Sequence, residues 1–110
     1  MQNEHDMQDE LDALRQNYIR DLAARFAEID AAWLAVRRQG CDGEALQTLL
    51  RLSHKLAGSS GLFGLMRVSA SARALESLLG EIAECGIAVD EQYVETIAGL
   101  IATIKSSAPA

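Results

Sequence analysis

The sequence has a single proline, Pro109, next to its C-terminus, so nothing in the body of the chain forbids a helix. Strand-like alternation of apolar and polar residues is missing too. Cysteine is scarce. Cys41 and Cys85 lie far apart, with no C-x-x-C and no second histidine placed to complete a zinc set, and both are expected to be reduced, structural thiols near helix ends. No apolar run approaches the roughly 18 residues of a membrane span. The polar, acidic N-terminus also lacks the basic and apolar regions of a signal peptide. The expectation is a soluble, cytoplasmic chain without a membrane partner. A basic face is absent as well. Residues 1–12 hold Glu4, Asp6, Asp9, Glu10 and Asp12 with no lysine or arginine, and the rest is nearly balanced within a net charge of −6. That excludes the electrostatic footprint of a nucleic-acid binder. There is no P-loop, and 110 residues leave no room for a nucleotide-binding kinase domain.

What remains is helix. A chain of this length, 49% apolar, suffices for one domain with one core and no metal or disulfide staple. In the first segment Leu11, Leu14, Tyr18, Leu22, Phe26, Ile29, Trp33 and Val36 recur three or four apart, the stripe of a helix that buries this face, Tyr18 and Trp33 included. It closes on Arg37-Arg38 and Gly40, where cations and glycine suit a helix C-terminus. After the turn Cys41-Asp42-Gly43 a second helix is expected over about 44–63, stopping at Gly64. A third, over roughly 67–85, carries Val68, Ala72, Leu75, Leu79 and Ile82 up to Gly86. Asp90 is the expected N-cap of a fourth, with Val89 and Val94 as a hydrophobic staple, continuing through Ile97, Leu100, Ile101 and Ile104. Four amphipathic helices joined by short loops predict an all-α, antiparallel up-down-up-down four-helix bundle. It would span residues 10–106, behind a flexible acidic head at 1–9 and before a tail at 107–110. The first turns of helix 1 can also split off as a short extra N-terminal helix. His5, in the head, has nothing around it to suggest a role.

The second helix breaks a rule. Glycine in a helix interior costs about 1 kcal/mol relative to alanine, yet Gly58 and Gly61 both follow His54 closely. Local rule-breaking in an otherwise consistent chain marks functional sites. On a helical wheel Ala45, Leu46, Leu49, Leu52, Ser53, Leu56, Ser60 and Phe63 form one stripe, and His54 projects away from its centre, toward solvent. Gln47, Arg51, Gly58 and Gly61 share its side. The two glycines leave one flank of the ring as bare backbone, open to the close approach of a partner. Arg51 and Lys55 put positive charge near the ring, which favours an anion such as a phosphoryl group. Ser53, Ser59 and Ser60 read as ordinary helix serines, with Ser53 and Ser60 facing inward and bonding back to carbonyls. No carboxylate is spaced to make a triad with His54. Leu62 lies off the stripe, either in a docking patch or as a stray surface leucine. On these residues alone, an inert surface histidine is the bland alternative.

The run Leu52-Ser53-His54-Lys55-Leu56-Ala57-Gly58-Ser59-Ser60-Gly61-Leu62-Phe63-Gly64 resembles the signature of the histidine-containing phosphotransfer (Hpt) domain family, approximately H-x-[LI]-K-G-[SA]-[SA]-x-x-[LF]-G. The histidine, the apolar residue two on, the glycine four on, the two small residues after it and the closing aromatic-glycine pair all match. A long helix before the motif and two helices after it extend the likeness over about residues 10–106. One position departs: the family usually has lysine three residues after the histidine, where this chain has Ala57.

The resemblance implies a phosphorelay carrier in two-component signalling. His54 would accept a phosphoryl group from the aspartate of one receiver domain and pass it to another, with Nε2 reacting and Nδ1 held by a hydrogen bond. Arg51 or Lys55 would supply the charge that Ala57 lacks. Gly58, Gly61, Gln47 and Leu62 would meet the receiver. Phosphoryl transfer asks mainly for in-line positioning and charge neutralisation. The chain would therefore need no cofactor of its own, and Mg²⁺ would come with the receiver's acidic pocket. The implied partners are response-regulator receivers and a hybrid histidine kinase, and the implied state is a monomeric stoichiometric carrier, not an enzyme. Two rivals stand beside this reading. An adaptor that only docks is favoured by Ala57 and disfavoured by the intact His54 and Gly58. The dimerising histidine domain of a sensor kinase would want an acidic residue directly after the histidine, where Lys55 stands.

Overall fold

The computed structural model describes residues 2–40, 43–86 and 90–109, with side chains from residue 6 onward. Its elements are α1 (Gln2–Gln39), α2 (Glu44–Leu62), α3 (Met66–Cys85) and α4 (Glu91–Ser106), with no strand among the described residues. Each helix packs on the next in chain order, α1 on α2, α2 on α3 and α3 on α4, as short connections between antiparallel neighbours require. The all-α four-helix bundle expected from the periodicity is the observed architecture. α1 and α4 touch more sparingly, tied at the surface by the ion pair of Asp30 with Lys105 at 2.6 Å.

One core runs through the bundle. It is built from Tyr18, Leu22, Ile29, Trp33 and Val36 of α1, Leu46, Leu49 and Leu56 of α2, Val68, Leu75, Leu79 and Ile82 of α3, and Ile97, Ile101 and Ile104 of α4. Ser53 and Ser60 are fully buried within it and donate to the carbonyls of Leu49 and Leu56, four residues back, so neither hydroxyl is left unpaired. At the start of α4 the Asp90 carboxylate accepts from the Tyr93 backbone N–H at 3.2 Å, the expected N-cap. Val89 of the expected staple, Cys41 and Asp42 of the first turn, and the His5 side chain lie outside the described residues. Cys85 is a free, exposed thiol at the end of α3.

Two expectations need correction. α1 is unbroken from Gln2 to Gln39, so no separate short helix precedes the bundle, and residues 2–9 are its first turns. A helix of 38 residues is about 57 Å long, which is also the longest dimension of the molecule. α2 is half that length, so the leading turns of α1 extend beyond the helices it packs on. The apolar stripe continues into this overhang without anything to cover it. Leu11 and Leu14, placed in the core by periodicity, are therefore 53% and 54% exposed.

The turn from α2 to α3 is the tightest point in the fold. The Leu65 N–H bonds the Ser60 carbonyl at 2.8 Å and the Gly64 N–H bonds the Gly61 carbonyl at 3.1 Å, while Gly64 takes φ +76°. This is a Schellman ending, and the left-handed residue it needs is the one most easily supplied by glycine. α1 braces the same corner. The Tyr18 ring stacks on Phe63 with centroids 4.8 Å apart, Arg15 donates to the Phe63 carbonyl at 3.1 Å, and the Tyr18 hydroxyl bonds the Ser59 hydroxyl at 2.6 Å. With the turn pinned, the sliding register of α3 against α2 is set, and that register decides what His54 meets.

Candidate functional site

His54 projects from the middle of α2 with its side chain 74% exposed, as the wheel predicts. Its ring is nonetheless not free. Nδ1 lies 2.5 Å from a carboxylate oxygen of Glu76, on the facing side of α3. An ionised carboxylate accepts hydrogen bonds and has no proton to give, so this contact puts the ring proton on Nδ1. Nε2 then carries the free lone pair. Glu76 is itself only 29% exposed, held at the α2–α3 seam, which limits the directions from which it can be drawn off.

Around the ring the helix surface is uneven. A Cβ added at Gly58 would meet nothing within 4 Å, so the flank one turn past His54 is open backbone. Gly61 differs. A Cβ there would come within 3.1 Å of the Ser69 hydroxyl, because α3 crosses close to α2 at this point. Gly61 is therefore not part of the open flank at Gly58, and its missing side chain makes room for α3. Ala57, directly before Gly58, is buried at 1% exposure, its carbonyl accepting from the Ser69 hydroxyl at 2.8 Å. Gln47 and Arg51, two turns and one turn before His54, are exposed, and Leu62 at the end of α2 is 81% exposed. Lys55 is exposed too, but it lines a cavity of about 230 Å³ with Arg25, Glu28 and Leu52, on the α1 side of the helix.

Beside this all-α bundle, with its exposed imidazole paired to a carboxylate and a bare glycine one turn on, stands one match among known proteins. The family model described as the Hpt domain covers residues 5–107, nearly the whole chain. The chain belongs to the Hpt domain family. Neither the curated proteins nor the solved structures give a match. Hpt domains carry out histidine phosphotransfer in phosphorelay signalling, as phosphocarrier modules that work with receiver domains and histidine kinases. None of the described helices of this Hpt domain is long and apolar enough to cross a membrane.

The residue that sequence reasoning missed in this Hpt domain is Glu76. It stands 22 positions after His54 on another helix, and no wheel drawn for α2 alone can find it. A signal did exist. On α3, Glu76 directly follows the buried Leu75 at the edge of the apolar face, where a carboxylate is retained only if something meets it. The residues the structure brings together are thus His54, Gly58 and Glu76. Arg51 lies at their margin, Lys55 on the α1 side, and Leu62 at the far end of α2 beside the overhang of α1.

Proposed function

We propose that this Hpt domain is a phosphorelay carrier whose phosphoryl-accepting group is Nε2 of His54. The observation that supports this reading is the Nδ1 contact with Glu76, which leaves Nε2 as the nitrogen with a lone pair to offer, on a side chain that is 74% exposed. In transfer from a receiver, that lone pair attacks the phosphorus of an aspartyl phosphate in line. The N–P bond forms, the P–O bond to the aspartate breaks, and the electron pair leaves on the carboxylate. Nδ1 keeps its proton throughout, so the ring becomes cationic as the phosphoryl arrives, and the Glu76 carboxylate lies where it offsets that charge. The reverse sequence delivers the group to a second receiver.

The open backbone at Gly58 gives a receiver's active site room to close over the imidazole, and Gln47 and Leu62 fall on the surface it would cover. Mg²⁺ would be supplied by the receiver's acidic pocket, and the carrier would not phosphorylate itself from ATP. Such a protein would act as a monomer in the cytoplasm. The docking-only adaptor retains one supporting observation, the closed, uncharged position at Ala57. Incubation with a phosphorylated receiver separates the two. The carrier takes up acid-labile, base-stable phosphate that His54→Gln abolishes, whereas an adaptor binds the receiver and takes up none.

A further inference from the structure

Ala57 leaves the phosphoryl group without the cation expected from α2, and the geometry points to Arg73 of α3 as its replacement. We infer that Arg73 forms an oxyanion-binding site across the α2–α3 seam, whose ligand is the phosphoryl dianion on His54. The inference rests on the phosphocarrier reading above.

Register places it there. Two contacts fix how α3 runs past α2: Glu76 meets His54, and Ser69 meets Gly61. Between these points the helices run antiparallel, so residues that sum to 130 stand level, and position 73 is opposite position 57. Ser69, Arg73 and Glu76 are also spaced i, i+4 and i+7, one stripe along a helix. The first and last members of the stripe reach α2, and Arg73 is the middle one. It stands three residues from the level of the His54–Glu76 pair, about 4.5 Å along the helix axis, an offset shorter than an extended arginine side chain.

The space it needs is free. Facing Arg73 on α2 are Ala57 and Gly58, the first small and buried and the second with nothing within 4 Å of where a Cβ would be. Arg73 is exposed, and among the described residues it makes no ion pair or side-chain hydrogen bond. Its guanidinium is thus uncommitted, and its planar fork matches two phosphoryl oxygens at once. Lys55, by contrast, lines the cavity on the α1 side. Arg51 is exposed one turn before His54, on the opposite side of the ring along the helix from Arg73, so the two arginines would bracket the group.

A small donor, potassium phosphoramidate, tests this on the full chain without a receiver, so that docking plays no part. The half-life and loaded fraction of the acid-labile adduct are followed by ³¹P NMR, with circular dichroism to verify folding. Arg73→Ala should lower both about ten-fold, the loss expected for a charge-assisted pair, with Arg73→Lys partly restoring them and Lys55→Ala matching the parent. An adduct in Arg73→Ala that forms and decays as in the parent overturns the inference while leaving the carrier reading standing. A parent that takes no phosphate on His54 overturns both.

Discussion

Gly58 and Gly61 lie three residues apart in the same helix, read alike in the sequence and do opposite things. At Gly58 the missing side chain faces open solvent beside an exposed ring, and at Gly61 it faces the Ser69 hydroxyl of a neighbouring helix. One glycine leaves the flank of His54 open, and the other lets α3 come close to α2. A helix can therefore use the same unfavourable residue twice, once to leave a surface bare and once to let a neighbour pack close.

Substitutions at three positions would break or sharpen this contrast. The largest effect is expected at the open flank. Gly58→Gln should slow phosphoryl transfer from a receiver by about 100-fold, the scale of a badly placed reacting group, while the urea midpoint rises slightly because glutamine is the better helix former. Transfer at the parent rate would show that no partner approaches this flank. At the inner flank the sign reverses. Gly61→Leu forces side-chain atoms against Ser69, and overpacking of this kind costs about 1–3 kcal/mol, read as a lower urea midpoint. A midpoint equal to the parent's would mean that α3 yields at no cost. The smallest effect belongs to Ser69→Ala, which removes the hydroxyl bonded to the Ala57 carbonyl. It should lower stability by about 1 kcal/mol. In that background Gly61→Ala should become stabilising, since the atom nearest the new methyl is gone, and a double-mutant cycle measures the coupling.

The helices, the core, the Asp90 cap and the back-bonded serines were legible in the sequence because each depends on residues within a turn or two of one another. The exposure of the His54 ring and the open backbone at Gly58 were legible for the same reason. Gly61 was not, although it lies on nearly the same side of α2 as His54. A wheel separates a helix's own apolar and polar faces, but where solvent gives way to a neighbouring helix is decided by that neighbour. Glu76 was hidden for a related cause, since its nearness to His54 depends on a register set by the Gly64 turn and by the Tyr18, Phe63 and Arg15 brace. Leu11 and Leu14 show the converse error. Their spacing reports correctly that they share a face with Tyr18, but it carries no information on where the partner helices stop.

The Gly64 turn has a consequence for how the protein matures. His54, Gly58, Arg73 and Glu76 all belong to one α-hairpin, and contacts so near in sequence are among those a chain closes fastest. The ring acquires its carboxylate partner when that hairpin zips, whereas α1 and α4 add the burial that keeps it closed. A nascent or partly unfolded chain without the hairpin holds only an ordinary histidine with no fixed tautomer. In the proposed carrier, competence to take a phosphoryl group would thereby be a report on folding, and a misfolded copy would drop out of the relay instead of draining it.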